Sequence, residues 1–156
     1  MPLDRLGKPD ARQSGDEASR RSSSRPIRVL VVDQGATARR RVCLAGRRAA
    51  GQSQWFEAAD ADAASRTLAF SAIDLVLADF HTIRHNLHRL TQGAAADPCE
   101  PAPLVVVISE DNEPQGIQQM LDAGAECCLP KHLPQRILES ELCRIVAQTR
   151  RKAGLS

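Results

Sequence analysis

Five short apolar runs punctuate this chain, and most of them stop on or beside a polar residue. Ile27–Val32, Ile73–Ala78 and Leu104–Ile108 are nearly unbroken. They are too short for typical helices and too continuous for strands with one wet face, so they read as strands buried on both faces. Trp55–Ala59 and Glu126–Leu129 read as two further, shorter strands. Between these runs, apolar residues recur at helical spacing. Val42, Ala45 and Ala49, with Cys43 beside them, predict a helix over Ala38–Ala50, and Ala63, Ala64 and Leu68 predict one from Asp60 to about Phe70. Ile83, Leu87 and Leu90 predict a third over Thr82–Gln92, and Ile117, Met120 and Leu121 a fourth over Glu113–Ala123. The last runs from Pro134 to about Thr149 on Ile137, Leu138, Leu142, Ile145 and Val146. Thr37 and Asp60 are suited to cap helix starts, and Gly51 and Gly124 to end helices. Gly93–Pro103, with three prolines, reads as a loop. Strands alternating with helices over short connections predict an α/β fold, a parallel sheet covered on both faces.

Composition sharpens this picture. Apolar residues make up 42% of the 156-residue chain and aromatics only 3%, so the core must be Val, Leu, Ile and Ala. Residues 1–26 hold six Lys/Arg and four acids with hardly an apolar side chain, which predicts a disordered tail. Residues 27–149 then form one domain, with 150–156 as a frayed basic end. From Ile27 onward the two signs balance at fifteen each, which argues against a nucleic-acid binder with a basic domain. The five cysteines (Cys43, Cys99, Cys127, Cys128, Cys143) contain no CxxC pair, so neither a disulfide framework nor a Cys-rich zinc site is indicated. They read as buried thiols of a reducing, cytoplasmic setting. No apolar run approaches the roughly 20 residues of a membrane span, and the N-terminus lacks the apolar core of a secretory signal.

In open parallel sheets, ligands sit beyond the carboxyl ends of the strands. The residues at those ends are Asp33 after the first strand, Asp79 after the third, Ser109 after the fourth and Lys131 after the fifth. Taken with Val29–Asp33, Glu57–Asp60, Asp74–Asp79, Val105–Ser109, Ala123-Gly124-Ala125 and Lys131, the sequence resembles the receiver domain of bacterial two-component response regulators over about Arg28–Gln148. The resemblance implies a flavodoxin-like, doubly wound (βα)5 sheet with strand order 2-1-3-4-5. It implies a phosphoprotein of phosphorelay signal transduction, a module rather than an enzyme acting on another substrate. Asp79 matches the phosphoacceptor, Ser109 the hydroxyl that hydrogen-bonds the phosphoryl group, and Lys131 the ammonium that pairs with its charge. Mg²⁺ would be held by Asp33, Asp79 and the backbone carbonyl of His81, with Gln34 as a weak ligand. The implied partners are a histidine kinase or histidine phosphotransfer protein and a downstream protein target, with homodimerisation left open and neither nucleic acid nor membrane implied.

Four departures qualify the match. Gln34 stands where the family has a second acid, which removes one negative charge and weakens the metal site. After Asp79 the chain reads Phe80-His-Thr-Ile-Arg-His-Asn-Leu87 in place of the family's Met-Pro and later Gly. Cys128 replaces the aromatic that switches rotamer on phosphorylation, and Pro130 precedes Lys131 where a proline usually follows. The alternative function is therefore a degenerate receiver that binds a partner independently of phosphorylation. His81, His85 and His88 at i, i+4, i+7, with His132 beside Lys131, raise a transition-metal site against the plainer reading of surface histidines. A nucleotide site is disfavoured, since Asp33-Gln-Gly-Ala-Thr37 carries a lone glycine. Arg39, Arg40, Arg41, Arg47 and Arg48 read either as a solvated face or as a docking surface for the phosphodonor.

Overall fold

A computed structural model describes residues 25–91, 102–110 and 114–155. The expected tail, apart from Arg25 and Pro26, and most of the loop expected over Gly93–Pro103 lie outside the described residues. The elements run β1 (Ile27–Val32), α1 (Ala36–Ala49), β2 (Ser53–Ala58), α2 (Ala61–Phe70), β3 (Leu75–Asp79), α3 (Phe80–Ile83), α4 (Leu87–Thr91), β4 (Leu104–Ser109), α5 (Pro114–Asp122), β5 (Cys127–Pro130) and α6 (Gln135–Lys152). The strands form one parallel sheet in the order β2-β1-β3-β4-β5, as the resemblance implies.

Side chains alternate across a strand, and both faces of this sheet are covered. Val29, Val31, Leu75, Leu77, Val106 and Ile108 point to the face packed by α1 and α6, meeting Val42, Ala45, Leu138, Leu142 and Ile145. Leu30, Val32, Val76, Ala78, Val105 and Val107 point to the other face, where Ala64, Ile83, Leu87, Leu90 and Met120 close the core. That is why β3, at the centre, can be apolar at every position before Asp79. The start of β1 is tied down by Asp74, whose carboxylate takes two bonds from the Arg25 guanidinium (2.9 and 2.8 Å) and one from the Arg28 amide (2.9 Å).

Several local expectations change. Asp60 caps α2 by accepting from the Ala63 amide at 2.7 Å, as its position suggests. Thr37 does not cap α1; the helix begins two residues earlier with Gly35 at the cap and no side-chain acceptor. The helix expected over Thr82–Gln92 is broken into α3 and α4, because the Asn86 and Arg89 amides donate to Ile83 and Asn86 in tight i→i−3 turns. Ile83, Leu87 and Leu90 are buried all the same. Ile137 and Leu121, expected in buried stripes, are exposed. The basic end does not fray at Arg150: α6 runs on to Lys152 and closes in a Schellman turn. The Leu155 amide donates to Arg150 O (2.8 Å), that of Gly154 (φ 71°) to Arg151 O (3.2 Å), and Leu155 is buried against the core. Of the cysteines, Cys43 is buried, Cys127 and Cys128 are half-buried and Cys143 is exposed, while Cys99 lies outside the described residues. Burial pushes the Cys43 thiol up to about 11, so it is an inert core residue.

Gly46 is a contact the apolar pattern does not reveal. A methyl group there would sit 2.1 Å from two carbons of the Trp55 indole. The ring cannot swing away freely, since its Nε1 donates to Ser53 Oγ (2.8 Å), which donates to Ala50 O (2.7 Å). Alanine normally stabilises a helix interior by about 1 kcal/mol over glycine. Here overpacking, at about 1–3 kcal/mol, should win. Gly46→Ala is expected to lower stability in urea unfolding, and Trp55→Leu in the same chain should recover part of the loss.

Candidate functional site

The sheet register builds the site before any side chain is considered. Val32 lies opposite Ala78, so Asp33 and Asp79 leave neighbouring strands side by side, and Asp79 in turn faces Ile108, one residue before Ser109. Ser109 pairs with Pro130, and the Lys131 amide donates to Ser109 O at 3.0 Å, which brings the lysine to the same rim.

Lys131 Nζ donates to Asp79 Oδ1 at 2.8 Å and lies 3.4 Å from Asp33 Oδ2. Both acids are deeply buried, with residue exposures of 6% for Asp33 and 2% for Asp79, and among the described residues Lys131 is the cation that bridges them. Burial by itself would pull the ammonium down from its ordinary value of 10.5. The hydrogen bond to Asp79, its charge and that of Asp33 together outweigh burial and hold the pKa above that value. Asp33 Oδ1 also accepts from the Gly35 amide at 2.8 Å, the local turn that starts α1.

Sequence reasoning missed Thr82. Its hydroxyl donates to Asp79 Oδ2 at 2.7 Å and its amide to the same oxygen at 3.1 Å. The Gln34 amide donates to the Thr82 oxygen at 3.1 Å, so one hydroxyl joins the loop after β1 to the carboxylate at the end of β3. A capping signal was present in the sequence, an Asp three residues before a Thr, but not its connection to Gln34.

Ser109 is half-buried and borders a space of about 30 Å³ shared with Phe80, Met120 and Cys128. Gln34 is exposed, as is His81, whose ring meets Phe80 edge-on at 5.3 Å. His85 and His88 are exposed, and the break between α3 and α4 removes the continuous helix their spacing assumed. His132 pairs with Glu110 at 3.1 Å. Among the described residues no group of three or more His, Cys, Asp or Glu is placed to hold a metal ion. The donor set for a hard cation is thus two carboxylates that carry one more negative charge than Lys131 neutralises, with oxygen ligands of the kind Mg²⁺ takes. That set fits such an ion, and fits it weakly.

No protein-family model matches the sequence. The chain is 32% identical over 121 residues to the two-component response regulator ORR1 of Oryza sativa subsp. japonica, a match covering 70% of this chain and 51% of that protein. It therefore spans about half the length of the curated relatives it matches. Among solved structures it is similar to the signal receiver domain of the response regulator NarL from Mycobacterium tuberculosis, at 25% identity and a TM-score of 0.65, covering 81% of this chain and 98% of that one. It also superposes on the signal receiver domain of an HD domain-containing protein from Pseudomonas fluorescens Pf-5, at 20% identity and a TM-score of 0.66, over 82% of this chain and 99% of that one. With the β2-β1-β3-β4-β5 sheet and the strand-end residues brought to one rim, the chain has the fold of, and is similar in sequence to, the receiver domains of two-component response regulators.

Proposed function

We propose that Asp79 is a phosphoacceptor, taking a phosphoryl group from a phosphohistidine donor and signalling through protein contacts. The observation that carries the reading is the Lys131 ammonium set between Asp79 and Asp33 at the rim where three strand ends meet. In the transfer, an Asp79 carboxylate oxygen forms a bond to phosphorus as the phosphorus–nitrogen bond of the donor breaks, and the imidazole leaves with that electron pair. A carboxylate approaches a phosphoanion only if their mutual repulsion is offset. Lys131 would offset part of it, and the Ser109 hydroxyl would donate to a phosphoryl oxygen. Receiver domains typically bind a divalent cation, and Mg²⁺ held by Asp33, Asp79, the His81 carbonyl and weakly by Gln34 would supply further neutralisation. The donor is a histidine kinase or histidine phosphotransfer protein, and the setting is cytoplasmic.

The first helix supports donor docking. Arg39 and Arg41 are tied into the fold, to Asp33 O and Glu57 in one case and to Leu133 O in the other. Arg40, Leu44, Arg47 and Arg48 remain exposed at i, i+4, i+7, i+8 on a single face of α1. An exposed leucine among arginines suits an acidic helix with an apolar centre. We read this face as part of the donor's footprint.

A second reading has one observation in its favour. Asp79 already accepts from Lys131 and twice from Thr82, so the unmodified carboxylate is satisfied and the domain could bind a partner as it stands. Incubation with acetyl phosphate and Mg²⁺, followed by intact mass measurement, separates the two. A single phosphoryl adduct that disappears in Asp79→Asn is expected. An adduct that survives the substitution, or none in the native chain, would favour the binding module.

A further inference from the structure

We propose that the groove between the first turns of α1 and α6 binds a small amphipathic molecule with an apolar body and an anionic head. The groove encloses about 410 Å³. That lies within the roughly 300–1,000 Å³ usual for small-molecule sites, which are mostly apolar with a few convergent polar groups. Its walls are largely Val42, Leu77, Ile108, Leu129 and Leu138. The space exists because α1 opens with Gly35-Ala36-Thr37-Ala38, whose small side chains leave the floor in front of Leu138 uncovered.

The charge at the rim selects the head group. Asp33 and Asp79 share Lys131, and Glu110 pairs with His132. Arg41 is different: among the described residues its partner is the neutral carbonyl of Leu133, not a carboxylate. A guanidinium has further donors in a fixed fork that matches a carboxylate or sulfonate. The Asp33, Asp79, Lys131 cluster also lines the groove, keeps an excess negative charge and would repel the head. The head is therefore assigned to Arg41 and the apolar body to the walls. This binding does not require that Asp79 be phosphorylated.

Octanoate and octan-1-ol, titrated into the full chain and followed by amide chemical shifts, test the site. Both should give saturable shifts in α1 and in residues 129–133. Ala38→Phe, which fills the groove, should abolish both; Ala38→Leu replaces it if the larger ring prevents folding. Arg41→Met keeps the stem but not the charge. It should weaken octanoate about tenfold or more and leave octan-1-ol within about twofold. The absence of saturable shifts in the native chain, or shifts that survive filling of the groove, would overturn the site. Equal weakening of both ligands by Arg41→Met would overturn the anionic head.

Discussion

Replacing Lys131 with methionine is expected to cost about 3–5 kcal/mol of folding stability, because it leaves two buried carboxylates without their shared cation. The substitution keeps most of the aliphatic stem, so the loss reports charge rather than packing. Asp79→Asn in the same chain removes one of the stranded charges and should return much of the loss, giving a large coupling energy in a double-mutant cycle from urea unfolding. The pH dependence supplies an independent check. Since Asp79 and Asp33 hold the Lys131 pKa above 10.5, folding favours the protonated lysine. The stability it contributes is fully present below 10.5 and is lost as pH rises through the raised value. Thermal unfolding of the native chain should therefore lose stability at strongly alkaline pH by a step that Lys131→Met lacks. An identical alkaline slope in both proteins would show that the ammonium is not bound as the geometry implies.

What the sequence disclosed followed how locally each feature is encoded. The sheet was legible because a strand buried on both faces writes an unbroken apolar run, and β1, β3 and β4 do so. The rim was legible because in a parallel sheet the strand ends share one edge, so Asp33, Asp79, Ser109 and Lys131 had to fall along one edge if the strands were placed correctly. The Asp60 cap and the Gly124 stop were legible because each is decided within four residues. The misses depend on tertiary contacts. Arg39 and Arg41 read as surface charges, yet they bond Asp33 O, Glu57 and Leu133 O across the fold. The length of α6 was underestimated because Arg150, Arg151 and Lys152 look like a solvated end. The later Ala153-Gly154-Leu155 is a helix stop, with an apolar residue after the glycine to dock on the core.

The departures from the family pattern fall around Asp79 rather than on it. Cys128 borders the small space beside Ser109 where the family's pattern would put an aromatic, and Phe80 borders the same space from the residue after Asp79. Gln34 leaves Asp33 as the only acid of the first loop, yet its backbone amide still helps fix Thr82. The arrangement thus retains a carboxylate, an ammonium and a hydroxyl at the rim while altering residues beside them.

Thr82→Val is the substitution expected to separate stability from cation affinity. The Thr82 hydroxyl and amide both donate to Asp79 Oδ2, while Lys131 holds Oδ1, so neither oxygen is free of a donor. A cation that takes Asp79 as a ligand must compete with these bonds. Valine keeps the shape and the amide but removes the hydroxyl, and with it a hydrogen bond to a charged acceptor of about 1.5–3 kcal/mol. The folded chain should lose stability of that order. The oxygen so released should bind Mg²⁺ about ten- to a hundredfold more tightly, since each 1.4 kcal/mol is about a factor of ten. Thermal unfolding with and without Mg²⁺ reads both at once: a lower midpoint in chelator and a larger upward shift on adding the ion. Serine restores the hydroxyl and should restore the native balance. If Thr82→Val lowered stability and left the Mg²⁺-dependent shift unchanged, Oδ2 would not be a metal ligand, and the hydroxyl would serve only to start α3.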